Sequence, residues 1–301
     1  MQGEMRIKYG EIPNVLMLGN GLNRAYNFAS WDDIIESMQT KVLTYEENKR
    51  IKKVPYPLQP VILTEDHVDV QLNQIAYDLT ELSAPAEEET LIRRFIELPV
   101  DSIITTNYTY EIEKAGYPNF KCSVGHACKF RRVAYDSGDQ ETTRLLNTYF
   151  CRPTDNKSVW HLHGEAALPD TMILGHYYYG KLLAMMQNYV GPMISRYNKA
   201  MAKKQDFICR SWLDFFMAGN VYIVGQGMDL SEMDLWWLVN CKKKYFENTS
   251  VTLYKPDIKT EEKLLAEAYG VKIVQEKVYD KNYKPYYEKI YIDLVDEFRK
   301  K

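Results

Sequence analysis

The stretch Val15-Leu16-Met17-Leu18-Gly19-Asn20-Gly21 joins a short apolar run to a glycine turn near the start of the chain. An apolar run followed by a polar or glycine-containing turn recurs at residues 103–107, 159–164 and 221–227. Short continuous apolar runs are typical of strands buried on both faces, as in a parallel sheet covered by helices. These runs therefore predict a parallel sheet, to which two further runs, at 251–254 and 271–274, add strands without a glycine exit.

Helical patterns separate the predicted strands. Ser231 and Asp234 form a capping-box pattern, which is typical of a helix N-terminus. We interpret residues 28–98 and 176–218 as two helical insertions, and we expect residues 116–158 to be irregular. The alternation of strands and helices predicts an α/β doubly wound fold.

Composition excludes several classes of protein. The 301 residues are 46% hydrophobic and 26% charged, with a formal net charge of -3, as in folded globular proteins. The near balance of 38 Lys and Arg against 41 Asp and Glu disfavours a general nucleic-acid binder. No stretch approaches the roughly 18 consecutive apolar residues of a membrane span. The polar N-terminus lacks the apolar centre of a signal peptide, so we expect a cytoplasmic protein.

The carboxyl ends of parallel strands meet at one edge of a sheet, where α/β proteins bind their ligands. The turn at 19–24, Gly-Asn-Gly-Leu-Asn-Arg, could bring backbone amides close to a phosphate, although an Asn-Gly pair also forms tight hairpin turns. The turn at 225–231 is either a second phosphate-binding turn or purely structural. Thr105-Thr106-Asn107 is either part of a binding site or a helix cap.

The fourth turn contains two histidines. His161 and His163 are spaced to face the same side of a strand, so they could ligate a metal. No nearby cysteine or carboxylate pair completes such a site, and the five cysteines of the chain form no C-x-x-C pair. A lone histidine is more often structural than catalytic. His163, beside Gly164 at the strand end, is better placed for catalysis than His161.

The order of these four turns resembles that of the sirtuin family. The matching phrases are Gly19-Asn20-Gly21-Leu22-Asn23-Arg24, Thr105-Thr106-Asn107-Tyr108, His161-Leu162-His163-Gly164 and residues 225–237 with their Ser-Glu-x-Asp-Leu-Trp-Trp run. The sequence looks most like the bacterial sirtuin-like domains that destroy NAD+ during antiphage defence. The resemblance implies a single Rossmann-like domain over residues 1–301 that binds NAD+ and needs no metal.

The resemblance also implies roles for particular residues. Asn107 would hold the nicotinamide ribose and a water molecule, and His163 would be the catalytic histidine. The residues expected to bind the rest of NAD+ are Gly19, Asn20, Gly21, Asn23, Thr106, Gly225, Gly227 and Ser231. Within this set, Gly19, Gly21 and Asn23 would cradle the pyrophosphate.

Three differences from protein-deacylating sirtuins argue against deacylation. The sequence lacks their four-cysteine zinc module and their Gly-Ile-Pro-Asp-Phe-Arg run, and Asn23 replaces their usual serine. Hydrolysis of NAD+ to nicotinamide and ADP-ribose is therefore the expected activity. The alternatives are a sensor or scaffold that binds NAD+ or ADP-ribose, and an ADP-ribosyltransferase.

The resemblance further implies control of the activity, because sirtuin-like defence proteins are typically held inactive until a phage cue arrives. We therefore expect a homo-oligomer, a regulatory partner encoded nearby, or both. We expect neither nucleic acid nor a membrane as a direct partner.

Overall fold

A computed structural model describes residues 4–26, 38–39, 43–65, 68–82, 91–279 and 282–300. The strands of the described residues are β1 (Arg6–Ile7), β2 (Asn14–Leu18), β3 (Ser102–Thr105), β4 (Arg131–Val133), β5 (Thr148–Cys151), β6 (Ser158–His161), β7 (Phe207–Ile208), β8 (Asn220–Val224), β9 (Val251–Tyr254) and β10 (Val271–Val274). The α-helices are α1 (Tyr45–Ile51), α2 (Gln59–Leu63), α3 (Val68–Leu82), α4 (Leu91–Ile96), α5 (Glu111–Gly116), α6 (Gln140–Leu146), α7 (His176–Ala202), α8 (Trp212–Ala218), α9 (Met233–Tyr245), α10 (Thr260–Ala268) and α11 (Tyr283–Arg299). Short 3-10 helices lie at Asn20–Tyr26, Tyr56–Leu58 and Pro169–Thr171.

The main sheet has eight strands in the order β10-β9-β8-β2-β3-β6-β5-β4. The six strands from β10 to β6 pair in parallel, whereas β5 is antiparallel to both β6 and β4. From β2 the chain moves outward through β3 to β6, returns to β8 beside β2, and continues outward through β9 to β10. The strand order therefore reverses between β2 and β8, as in doubly wound Rossmann-like sheets. This arrangement confirms the predicted fold class.

Strand β2 is buried on both faces of the sheet. Leu16 and Leu18 join one apolar core, and Val15 and Met17 join the other, because successive side chains point to opposite faces. The first core is covered by α3, α4 and α11, and the second by α7, α8 and α9. Burial on both faces explains why the strand is a continuous apolar run and shows no alternation with polar residues.

The two predicted insertions are helical over most of their described residues. Within 28–98 the helices are α1 to α4, whereas residues 28–37, 40–42, 66–67 and 83–90 lie outside the described part of the chain. Within 176–218, α7 and α8 flank β7, which pairs with β1 in a separate two-stranded sheet. None of the described helices has the length and apolar character that crossing a membrane requires.

The expectation that residues 116–158 are irregular is wrong. They contain β4, α6 and β5, and the two strands extend the main sheet beyond β6. Their sequences, Arg-Arg-Val and Thr-Tyr-Phe-Cys, contain a single aliphatic residue between them, so neither resembles the apolar runs that predict the parallel strands. Pairing with the edge of β6 organises this segment.

Candidate functional site

A cavity of about 630 Å³ lies at the carboxyl ends of the parallel strands. The turns after β2 and β8 both line it, so it lies where the strand order reverses, which is the ligand-binding position of doubly wound sheets. Its volume falls within the range of about 300–1,000 Å³ typical of small-molecule and cofactor sites. Wall residues contributed by the first insertion, the segment after β9, and α11 are Tyr56, Pro57, Lys255, Lys259, Tyr283 and Tyr287.

Seven of the ten predicted site residues line this cavity, and all four predicted turns contribute to it. The seven are Asn20, Gly21, Thr106, Asn107, His163, Gly225 and Gly227. The remaining three lie outside the cavity wall. Gly19 packs against the turn after β8, the side-chain amide of Asn23 donates to Asn20 Oδ1 at 2.6 Å, and Ser231 Oγ donates to Asp229 Oδ1 at 2.9 Å.

The two glycine turns touch each other directly. The N–H of Gly19 donates to Val224 O at 2.9 Å, and the N–H of Gly21 donates to Gly225 O at 2.7 Å. Both amides therefore hold the fold together, and a phosphate bound at this turn would be held by other groups. The hairpin alternative for this turn is wrong, because a 3-10 helix follows β2 and both neighbours of β2 are parallel to it.

We expect Gly21→Ala to destabilise the protein by about 1–3 kcal/mol, because overpacking forces a shift of the backbone. A Cβ at Gly21 would lie 2.5 Å from Gly225 O and 2.7 Å from Tyr287 Oη. Urea unfolding measures the effect, with Gly227→Ala as the matched control, since a Cβ at Gly227 would meet no atom of the described residues within 4 Å. Equal unfolding midpoints for the two variants would contradict this account of the turn.

Both polar main-chain groups of Asn107, its N–H and its carbonyl, form hydrogen bonds. Its N–H donates to Thr105 Oγ1 at 3.1 Å, and its carbonyl oxygen accepts from His161 Nδ1 at 2.7 Å. Its side-chain Oδ1 is buried and has no hydrogen-bond partner among the described residues. A buried acceptor without a partner is costly, so this oxygen is suited to bind a ligand hydroxyl or a water molecule.

The helix-cap alternative for Asn107 is wrong. The next helix, α5, begins at Glu111, and its N-cap residue is Tyr110, which makes no side-chain capping bond. Thr105 Oγ1 instead donates to Leu18 O at 2.8 Å while accepting from Asn107. The polar residues of this turn thus connect two strands and shape the cavity wall.

His163 is paired with a buried carboxylate. Its Nε2 lies 2.6 Å from Asp234 Oδ2, and the two side chains are 5% and 0% exposed. Because the carboxylate accepts, Nε2 carries the ring proton, and Nδ1 is left as the nitrogen that can accept one. The ring of Tyr179 packs edge-on against the imidazole, with centroids 5.4 Å apart. His163 Nδ1 can therefore accept a proton, while Asp234 fixes the orientation of the ring.

The capping-box prediction for Ser231 and Asp234 is wrong, and the error concealed the role of Asp234. Helix α9 begins at Met233 with Glu232 as its N-cap, without a side-chain capping bond. A Ser-x-x-Asp spacing is equally compatible with a cap and with a carboxylate that serves a distant residue. Only the contact with His163, 71 residues away, distinguishes the two.

The sequence reasoning also missed a polar chain along the cavity wall. Thr106 Oγ1 donates to Gln226 Oε1 at 2.7 Å, and Gln226 Nε2 donates to Glu232 Oε1. The other oxygen of Glu232 accepts from the N–H of Asp229 at 2.9 Å. Burial and, to a smaller extent, the neighbouring Asp234 raise the pKa of Glu232 to about 8, so this carboxyl is mainly protonated at neutral pH.

The two histidines at the end of β6, His161 and His163, have separate partners. His161 contacts Asn107 and Glu113, whereas His163 contacts Asp234. In the described part of the chain, no group of three or more His, Cys, Asp or Glu side chains could hold a metal ion.

Comparison of the sequence with protein-family models and with curated proteins found no match. The function is therefore argued from the cavity and its residues.

Proposed function

We propose that the protein is an NAD+ hydrolase that releases nicotinamide and ADP-ribose. One observation carries the proposal. Asn107, with its unpaired buried acceptor, and His163, with its buried carboxylate partner, line one cavity at the reversal point of a Rossmann-like sheet. The resemblance of the four turns to the bacterial sirtuin-like domains that destroy NAD+ supports the same activity.

The position of the cavity suggests how NAD+ would bind. Doubly wound sheets hold the pyrophosphate of a dinucleotide at the turn after the first strand of the fold. In this protein the turns after β2 and β8 line that part of the cavity. The nicotinamide ribose would then lie toward Asn107 and His163, and the adenosine toward Lys255 and Lys259 in the segment after β9.

The proposed reaction breaks the bond between the nicotinamide nitrogen and the ribose. Nicotinamide is cationic in NAD+ and leaves as a neutral molecule, so no general acid is needed, unlike in ordinary glycoside hydrolysis. The bond electrons leave with nicotinamide, and water attacks the oxocarbenium-like carbon. Asn107 Oδ1 would orient the ribose hydroxyl or this water, and His163 Nδ1 would accept the proton that is released.

Incubation of the protein with NAD+, followed by chromatography, tests the proposal. We expect nicotinamide and free ADP-ribose in equal amounts from the wild type, and neither product from Asn107→Ala. ADP-ribose attached to protein would indicate a transferase. Saturable binding with NAD+ left intact would indicate a sensor or scaffold.

We expect NAD+ binding to weaken as the pH rises through about 8, because Glu232 then becomes an anion beside the bound pyrophosphate. Because the pKa is raised from its ordinary value of 4.5, the protonated Glu232 side chain contributes to folding stability. This contribution is fully present below about pH 4.5 and is lost as the pH rises through about 8. Measuring KM for NAD+ on both sides of this pKa checks the prediction. Glu232→Gln should remove the dependence, and Glu261→Gln, at an exposed site in α10, should retain it.

The biological role that we propose is antiphage defence by depletion of NAD+ in the infected cell. This role rests on the resemblance of the four turns to sirtuin-like defence proteins. An uncontrolled NAD+ hydrolase would kill its host, so the proposal includes control by self-assembly or by a partner protein encoded nearby. The NAD+ assay is therefore run with and without the products of the neighbouring genes.

A further inference from the structure

A second buried pair of histidine and carboxylate lies behind Asn107, outside the cavity wall. His161, the last residue of β6, has its Nε2 3.0 Å from Glu113 Oε1, and the two side chains are 4% and 0% exposed. The other ring nitrogen, Nδ1, lies 2.7 Å from the carbonyl oxygen of Asn107. The pair therefore connects α5, β6 and the main chain of Asn107.

The partners of His161 determine its protonation. A carbonyl oxygen can only accept, so Nδ1 carries a proton and donates to Asn107. Burial has the largest single effect and lowers the pKa of His161, but Glu113, Glu165 and the Asn107 carbonyl together raise it, and the net shift is upward. Both ring nitrogens face acceptor oxygens, which favours the imidazolium form that donates at each of them. Charge-assisted hydrogen bonds of this kind are about twice as strong as neutral ones.

The rings around His161 also fix its position. Tyr110 and Phe150 contact the imidazole with centroid distances of 5.6 and 5.5 Å. A donor held in this way anchors the Asn107 carbonyl, while Thr105 Oγ1 anchors the Asn107 N–H. With both main-chain groups anchored, only the side-chain torsions of Asn107 remain to be set.

Stability alone accounts poorly for this pair. Taking two charges out of water is costly, and an apolar pair of similar volume is often at least as stable. In addition, Glu113 Oε2 is buried without a hydrogen-bond partner among the described residues. The pair does provide a strong hydrogen-bond donor, His161 Nδ1, to the carbonyl oxygen of Asn107, which lines the cavity.

We propose that Glu113 and His161 are positioning residues, which hold the main chain of Asn107 so that its side-chain amide stays aimed at the reacting ribose or water. The inference rests on the proposed hydrolysis of NAD+. Neither residue touches the substrate. The pair acts on kcat through Asn107 and leaves the binding of the rest of NAD+ unchanged.

Three variants of the full-length protein test the proposal. His161→Leu removes the donor to Asn107, and we expect kcat to fall on the order of 100-fold while KM changes less than about threefold, as for small misplacements of a reacting group. His161→Asn keeps an N–H donor near the position of Nδ1, so we expect it to restore most of the lost kcat. Asp214→Asn is the control, since Asp214 is a fully buried carboxylate paired with Arg196 and does not line the cavity.

The control should lower the melting temperature and leave kcat unchanged. If the wild type releases nicotinamide and His161→Leu has the same kcat, the positioning role is overturned and the proposed function is retained. Equal loss of kcat in His161→Leu and His161→Asn, or a loss that only follows the folded fraction, would overturn it as well. A wild type that leaves NAD+ intact both alone and with the products of the neighbouring genes would overturn the proposed function and this inference with it.

Discussion

We expect Asp234→Asn to lower kcat for the proposed nicotinamide release by about 10²–10⁴-fold, the range that a positioned general base contributes, with little change in KM. The amide of asparagine can donate to His163 Nε2, which then loses its proton. The ring proton moves to Nδ1, so the nitrogen that accepts a proton in the wild type can no longer do so. The imidazolium that forms during the reaction also loses its counter-charge, which lies 2.6 Å away in the wild type.

His163→Ala should cause a loss of similar size, because both substitutions remove the same base. The double variant should be little worse than either single one, since residues that act as a unit are not additive. Steady-state release of nicotinamide measures all three variants, and circular dichroism shows whether each is folded. His126→Ala, at an exposed histidine outside the cavity wall, should keep the wild-type kcat. Wild-type kcat in Asp234→Asn would contradict the assignment of the base.

We expect Lys242→Met to lower the free energy of unfolding by about 1–3 kcal/mol or more, the cost of leaving buried hydrogen-bond acceptors without a donor. Lys242 lies on α9 and is 2% exposed. Its ammonium donates to the carbonyl oxygens of Phe216 and Met217 at 2.9 Å each, and to that of Gly219 at 2.5 Å. These carbonyls end α8, where the helix itself supplies no donors. Methionine fills a similar volume and leaves all three without this partner.

Urea unfolding at a single pH compares Lys242→Met with Lys244→Met, whose lysine is exposed on the same helix. The control should unfold within about 0.5 kcal/mol of the wild type, as exposed substitutions usually do. Similar unfolding free energies for the two variants would show that water replaces the ammonium at little cost. The attachment of α9 to the end of α8 would then depend on apolar packing alone.

Most of the main sheet could be predicted because each parallel strand is marked by a pattern of neighbouring residues in the sequence. Each parallel strand is a short apolar run buried on both faces, and the turns after β2 and β8 carry the glycines that let them approach each other. The antiparallel strands β4 and β5 were missed, because Arg-Arg-Val and Thr-Tyr-Phe-Cys lack the aliphatic residues that mark the parallel strands. Their conformation depends on the edge of β6 to which they pair.

The candidate site was predictable where it follows from strand order. Residues at the carboxyl ends of parallel strands converge, so the sequence assigns Asn107 and His163 to one edge of the sheet, and both line the cavity there. Gln226 and Glu232 could not be assigned, because the hydrogen bonds that join them to Thr106 depend on how the turns after β3 and β8 face each other.

The sequence by itself determined the α/β doubly wound fold and the edge of the sheet at which the predicted site residues meet, since apolar runs and glycine exits are properties of neighbouring residues. Only the tertiary structure decided the partner of each histidine. Asp234 lies 71 residues from His163, and Glu113 lies 48 residues from His161. No local pattern encodes such pairs, because they form only when packing brings helices α9 and α5 against the strand ends.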